Sequence, residues 1–266
     1  MLPEEILSDT IDPARARAGL IALGRSERIA AGDPLPPFFH HLYFWSPQPP
    51  QDLGRDGHPR VGHGGLIPDL GLPRRMWAGG RLEFRHPLRA GKEAERHSVL
   101  EASNRKQGRS GPLGFVTLRH DYRQNGQICV TEWQDLVYRE DPAPSAPRPA
   151  PPVARTDEAE GRKVRFDSTL LFRYSALTFN GHRIHYDLDY ARDVEGYAGL
   201  VVHGPLLAQL LMFFAQDLMG PLAKFRFRAT APLLHFEPAE LCASETALWV
   251  RGPDGRLCME SQADPT

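Results

Sequence analysis

From His203 to Met219 the chain reads HGPLLAQLLMFFAQDLM, apolar almost all round. A helix with that pattern has to be enclosed by other elements and cannot lie on a surface. Pro205 suits its first turn and Gly220-Pro221 ends it. Gln209, Gln216 and Asp217 interrupt it, and it is too short and too polar to span a bilayer. The remainder of the chain is strand-like. Lys224-Phe-Arg-Phe-Arg-Ala-Thr alternates, Pro232-Leu233 breaks the pattern, a strand is expected around Leu241 to Val250, and Pro253-Asp254-Gly255 turns the chain into a last strand from Arg256 to Gln262. A buried helix followed by antiparallel strands predicts a sheet wrapped around the helix, an α+β fold.

The first half repeats this outline. Arg81-Leu-Glu-Phe-Arg alternates, Pro87-Leu88 breaks it, and a strand is expected from Glu93 to Ser103. Two β-rich runs then flank Asn125-Gly126, a strong hairpin signal. Before these strands, Ile11 to Leu23 reads as an amphipathic helix capped by Asp12 with Pro13 at its first position. Pro34 to Trp45 is a dense aromatic patch. Residues 47 to 75 are rich in Gly and Pro and read as a surface or substrate-rim loop; Gly62-His63-Gly64-Gly65 within them lacks the lysine and helix of a phosphate loop.

Asp141 to Arg155 reads DPAPSAPRPAPPVAR, too rich in Pro and Ala to join a sheet or core. The expected organisation is therefore a first half at 1–140, a linker at 141–156 and a second half at 157–266. With 41% hydrophobic and 24% charged residues the chain is globular, and a formal net charge of -1 excludes a dedicated nucleic-acid binder. Cys129, Cys242 and Cys258 form neither a disulfide framework nor a zinc knuckle, which fits buried thiols in a reducing cytosol. The N-terminus shows no basic segment followed by an apolar run, so a cytoplasmic protein is expected.

The chemistry concentrates just before the buried helix, in Tyr174-Ser-Ala-Leu-Thr178-Phe-Asn180-Gly-His182-Arg183-Ile-His185-Tyr-Asp187. His185 can exchange a proton near neutral pH. Asn180 can hold a water but cannot move a proton. Gly204 opens the helix, where free N–H groups favour developing negative charge. His182 and His185 have the look of a metal pair, but no third ligand stands near them in sequence, and no metal is expected.

These residues resemble the R-specific enoyl-thioester hydratases of the MaoC type, which have the hot-dog fold. Tyr174, Leu177, Thr178, Ile184 and His185 fit that motif or nearly so. Asn180, His182 and Arg183 depart from it, standing where the motif has Asp, Asn and Pro. The chain is more similar to a subgroup, the mesaconyl-C4-CoA and itaconyl-CoA hydratases with the related hydroxyacyl-thioester dehydratases. That subgroup carries F/Y-S-A-L-T-F-N-x-H-R-I-H-Y-D and G-L-V-V-H-G-P. Pro73 to Gly80 and Gly108 to Pro112 add to the likeness, which runs from about residue 33 to residue 262.

The resemblance implies a double hot dog, two antiparallel sheets each wrapping a helix and packed as a pseudo-dimer. It also implies His185 as catalytic base, Asn180 as its partner in holding water and Gly204 as oxyanion donor. Arg183 would meet a substrate carboxylate, since a saturated acyl chain gives a guanidinium nothing to bind; an internal ion pair with Asp187 is the competing reading. Arg75, beside Arg74, would serve the same carboxylate or the CoA phosphates, and His182, His203 and Tyr174 complete the expected substrate contacts. The implied activity is hydration of a short branched dicarboxyl-CoA thioester, mesaconyl-C4-CoA or itaconyl-CoA, to citramalyl-CoA. It needs no cofactor beyond the coenzyme A of the substrate, no membrane and no nucleic acid, and it is compatible with a homodimer. Two alternatives stand beside it: an (R)-3-hydroxyacyl-thioester dehydratase of fatty-acid metabolism, and a non-catalytic acyl-CoA-binding hot-dog protein in which Asn180 marks a dead site.

Overall fold

The computed structural model describes residues 4–62, 65–108, 111–141 and 150–266. Among these residues ten strands form one antiparallel sheet: β1 (Glu4–Thr10), β2 (Arg74–Phe84), β3 (Glu93–Gly108), β4 (Gly111–Gln124), β5 (Gln127–Arg139), β6 (Glu160–Val164), β7 (Leu222–Ala229), β8 (Ala239–Ser244), β9 (Ala247–Arg251) and β10 (Leu257–Pro265). Their order is β1-β3-β4-β5-β2-β7-β10-β9-β8-β6. The sequence β1-β3-β4-β5-β2 is matched position by position by β6-β8-β9-β10-β7. The sheet is thus two equivalent five-stranded halves meeting at β2 and β7, the pseudo-dimer that the family resemblance implies.

The seam pairs Gly79 with Arg228 through Glu83 with Lys224. Two glycines permit it. A β-carbon on Gly79 would lie 2.5 Å from the Phe227 carbonyl oxygen, and one on Gly80 would lie 2.7 Å from that of Trp133. A bulge between Trp77 and Gly79 bends β2 there, and the Trp77 indole N–H donates to the Gly79 carbonyl at 2.8 Å.

The helix α3 (Gly204–Met219) lies across β7 to β10, with Leu206, Ala208, Leu211, Met212 and Ala215 fully buried. The second half therefore wraps its helix as expected. The first half does not have an equal. Its α1 (Pro13–Ala22) is short, is capped by Asp12 as predicted, and packs on α2 (Ser168–Thr178) and on the turn of 3-10 helix at Phe39–Leu42. The aromatic patch fills the space instead: Phe38, Phe39, Tyr43 and Phe44 are buried in the core that both halves share.

One further expectation is corrected. The run Leu241 to Val250 is two strands joined by a tight turn at Glu245, which takes φ 54°. Strands β1 and β6, and helix α2, carry too little periodicity to be read from sequence. Half of the proposed linker, residues 142–149, lies outside the described residues, as do His63, Gly64, Arg109 and Ser110. Its described end is tied down: Ala154 N–H donates to Gly255 O, and Pro152 O accepts from Leu257 N–H.

Candidate active site

The sequence motif folds as a helix end, a tight turn and a short 3-10 segment. Asp167 caps α2 by accepting from Leu170 N–H at 2.7 Å. The helix stops because Phe179 takes a left-handed conformation, φ 51°, after which Asn180 N–H closes back on Ser175 O. The Asn180 side-chain oxygen accepts from His182 N–H at 3.0 Å, so the amide braces the turn that carries the histidines. His185 then sits in the 3-10 segment Arg183–His185, directly under the strand-like approach to α3.

A row of rings runs through this region. His203 stacks on His185 with centroids 3.6 Å apart, His185 meets His182 edge-on at 5.4 Å, and His182 lies 4.6 Å from His58. Each end is anchored. His203 shares a 2.8 Å hydrogen bond with Ser175 Oγ, and His58 Nδ1 lies 3.0 Å from an Asp56 carboxylate oxygen. His185 Nδ1 lies 2.7 Å from Val201 O. A carbonyl only accepts, so Nδ1 carries the proton and Nε2 is left with its lone pair.

Burial decides the charge state of this row. It pushes His185 down to about 4, the Val201 contact opposing only in part. It pushes His182 down to about 2, helped by the charges of His58 and His185, and holds His203 well below its ordinary value. His58 is lowered by burial and by the Arg75 charge, against the pull of Asp56. Asp56 is lowered as well, and so stays charged: burial would raise it, but the bond from His58 wins and brings it to about 2. At neutral pH the site is a line of neutral imidazoles backed by one carboxylate.

Beside the row lies a cavity of about 480 Å³ between the halves. The second half supplies Tyr174, Thr178, Asn180 and Pro205 to its wall, and the first half supplies Arg75 and Trp77 from β2. The glycine-rich segment 47–75 forms part of the rim through Leu53, Gly57, His58 and Pro59. A second cavity, about 610 Å³, opens around residues 25–40 and 84–88 and contains none of the motif residues.

The expected residues divide sharply on this geometry. Tyr174, Asn180 and Arg75 face the cavity. His185, 6% exposed, does not line it and lies behind His182 in the row. Gly204 opens α3 with an N–H that meets no protein acceptor among the described residues, and a β-carbon there would touch only Trp77 O, at 3.9 Å. His203 is fully buried against His185 and Ser175, so it positions a ring and is not a substrate contact. His182 also sits off the cavity wall, inside the row.

Arg183 is corrected. Its guanidinium is 40% exposed, binds Asp187 Oδ2 at 2.7 Å and lies over the Tyr190 ring, and it is not part of the cavity. The internal ion pair is the reading the geometry selects. Arg74 is structural too, since it is buried against Glu195. Arg75 differs from both: its guanidinium makes no hydrogen bond or ion pair among the described residues. The sequence also missed Asp56 and His58. Their donor atoms and those of His182 all lie within 4.8 Å of one another, so His182 has the acid and imidazole neighbours that its own stretch lacks.

Arranged this way, the site offers imidazole lone pairs, a free helix N–H and an unpaired cation around one cavity. Comparison with known proteins places the chain in a family. The chain is 45% identical over 98% of its length, and 94% of the relative's, to the mesaconyl-C(4)-CoA hydratase of Chloroflexus aurantiacus. Its fold matches a MaoC-like dehydratase of Phytophthora capsici at TM-score 0.72 and 13% identity, covering 100% of this chain and 95% of that one. It also matches a Mycobacterium tuberculosis protein described as a double hot dog at TM-score 0.60 and 12% identity, over 99% and 96% of the two chains. The family model for hydroxyacyl-thioester dehydratase type 2 matches residues 38–235, across both halves. The chain is a double hot dog and belongs to the hydroxyacyl-thioester dehydratase type 2 family.

Proposed function

We propose that this protein hydrates a short branched dicarboxyl-CoA thioester, mesaconyl-C4-CoA or itaconyl-CoA, giving citramalyl-CoA. The observation that carries the substrate class is Arg75. A guanidinium on the wall of a largely apolar cavity, with no protein acid bound to it, calls for an anion from the ligand. The 45% identity to a mesaconyl-C(4)-CoA hydratase supports the same reading. A CoA phosphate is the competing anion for Arg75, and comparing mesaconyl-C4-CoA with crotonyl-CoA, which carry the same CoA but differ in the free carboxylate, separates the two.

In the proposed reaction on mesaconyl-C4-CoA, whose double bond is conjugated to the thioester, His185 Nε2 takes a proton from water as the water oxygen bonds to the β-carbon. The electron pair of the double bond moves toward the α-carbon and the thioester oxygen. Gly204 N–H, at the positive end of α3, receives that developing charge. His185 then returns its proton to the α-carbon and is neutral again. A pKa of about 4 keeps the imidazole in the neutral form that this sequence needs. Proton transfer and oxyanion stabilisation suffice for the reaction, so we assign no cofactor beyond the coenzyme A that the substrate brings. Among the described residues no helix is long and apolar enough to cross a membrane. The three free, buried cysteines support a place in the reducing cytoplasm.

The test is loss of the conjugated enoyl-thioester absorbance on adding enzyme to mesaconyl-C4-CoA. His185→Ala should lower kcat by about 10²- to 10⁴-fold, the span of general acid–base catalysis. Near-normal turnover in a folded variant would remove His185 as the base. Binding of the thioester without any turnover by the native protein would favour a non-catalytic acyl-CoA binder.

A further inference from the structure

Water that attacks a β-carbon must aim an oxygen lone pair at it, so both of its hydrogens need acceptors on the protein side. On the hydratase reading, His185 Nε2 is one acceptor. Asn180 is a poor second, because its side-chain oxygen already receives His182 N–H at 3.0 Å and its remaining amide group is a donor. The wall of the cavity contains another imidazole with a lone pair to give. Asp56 holds His58 twice, at the backbone N–H at 3.1 Å and at Nδ1 at 3.0 Å. With Asp56 ionised, Nδ1 carries the proton and Nε2 is the acceptor.

His58 reaches this position by a docking of the first half onto the second. Arg183 N–H donates to Asp56 O at 2.9 Å, which ties the rim loop to the motif loop. Gly57 and Gly181 meet face to face: a β-carbon on Gly57 would lie 2.0 Å from Gly181 O, and one on Gly181 would lie 2.5 Å from Gly57 O. Two glycines at one crossing allow the backbones to touch, and Gly57 takes φ 87° to do so. The result is the ring row from His185 through His182 to His58, with only His58 opening on the cavity.

We propose that His58, oriented by Asp56, is a catalytic residue supplied by the first half: its Nε2 accepts the second hydrogen of the attacking water and turns the water's lone pair toward the β-carbon. The inference rests on the hydratase reading. His58 exchanges no proton in this step; the proton taken from water goes to His185 and back to the α-carbon. The same three side chains, Asp56, His58 and His182, have metal-ligand spacing. The Arg75 charge acts on both His58 and His182, however, and opposes a cation among them.

The experiment measures kcat and KM on mesaconyl-C4-CoA for His58→Ala, His58→Gln and the double variant His58→Ala with Asn180→Asp. Mislaying the reacting water should cost His58→Ala about 100-fold in kcat, with a smaller change in KM. Gln keeps an acceptor oxygen and should retain more activity than Ala. Asp at 180 places a carboxylate acceptor on the same wall, so the double variant should recover turnover relative to His58→Ala. The same Asn180→Asp change should not rescue His185→Ala. An unchanged kcat in His58→Ala overturns the proposal. So does a loss that neither Gln at 58 nor Asp at 180 relieves in variants with native circular dichroism, which is what a merely structural histidine gives. Stoichiometric zinc in the native enzyme, with activity lost to chelator and restored by the metal, overturns it as well. If the native enzyme hydrates no enoyl thioester at all, the hydratase reading falls first and this inference with it.

Discussion

Replacing Arg75 with methionine separates substrate recognition from catalysis. The guanidinium faces the cavity and has no acid of its own. Asp56, the carboxylate at the end of the ring row, is held by His58. The cation is therefore free to meet the free carboxylate of a dicarboxyl thioester. Leaving one partner of such a desolvated pair alone costs about 2–5 kcal/mol, or roughly 30- to several-thousand-fold in kcat/KM. Arg75 is only half-buried, so the low end of that range is expected. Crotonyl-CoA carries no free carboxylate and should lose far less, and because both substrates need the same base and oxyanion donor, their ratio cancels general damage. Arg183→Met is the matched control. Its side chain is 40% exposed and bound to Asp187, a pair worth about 0–1 kcal/mol. It should change kcat/KM by at most a few-fold on either substrate. Steady-state rates from the enoyl absorbance give all four numbers. Equal losses on the two substrates in Arg75→Met would refute the carboxylate assignment, and so would a mesaconyl-specific loss in Arg183→Met.

The same geometry sets two other outcomes. His40, His120 and His185 are each held at about 4 by burial, below their ordinary 6.5. Between those values the unfolded chain binds more protons, so stability falls as pH drops from 6.5 toward 4, by up to about 3 kcal/mol per group. Glu132 and Asp56, both lowered, add a further loss below the ordinary carboxylate range. Calorimetry should show Tm falling already between pH 6.5 and 5; a flat Tm there refutes the neutral-histidine account. The glycine crossing gives the second outcome. Gly57→Ala meets both a positive φ and the Gly181 carbonyl, whereas Gly24→Ala meets only a positive φ, 70°. Both should lose about 1–3 kcal/mol of stability, but only Gly57→Ala should also lose kcat, and equal activity in the two would mean that the docked loop does not serve the site.

The sequence made much of the fold legible, for a local reason. The run Leu206 to Leu211, apolar but for Gln209, and the Asn125-Gly126 turn each carry their meaning within a few residues, and both are realised as a buried helix and a tight hairpin. The hairpin at Glu245 was hidden because the left-handed turn residue there is neither Gly nor Asn. Within the site, Tyr174 through His185 could be read as one motif because they are neighbours in sequence. Asp56 and His58 could not, since they lie in a loop with no periodicity and reach the site only across the interface of the halves. Arg183 misled for the converse reason. Its place in the motif suggested a ligand, but the acid that satisfies it, Asp187, is one helical turn along the same segment.

The doubled architecture raises the question of a second site, and hydrogen bonding answers it. The first half has its own buried polar cluster. Both oxygens of Glu132 are engaged, with His41 at 2.8 Å, His40 at 3.0 Å and the Tyr122 hydroxyl at 3.1 Å. His120 spends Nδ1 on Ser98, 2.7 Å away. Those bonds leave the cluster's carboxylate with nothing to offer a substrate; it fastens the aromatic segment to β4 and β5, and of its members only His41 borders the cavity. In the second half the balance is reversed. His185 spends one nitrogen on Val201 and keeps the other, and Gly204 N–H has no protein acceptor among the described residues. A reaction needs groups whose bonding is completed by the substrate, and these occur in the second half and along the rim loop and β2 that the first half lays against it. One active site per chain, assembled from both halves, is what that distribution of unspent donors and acceptors supports.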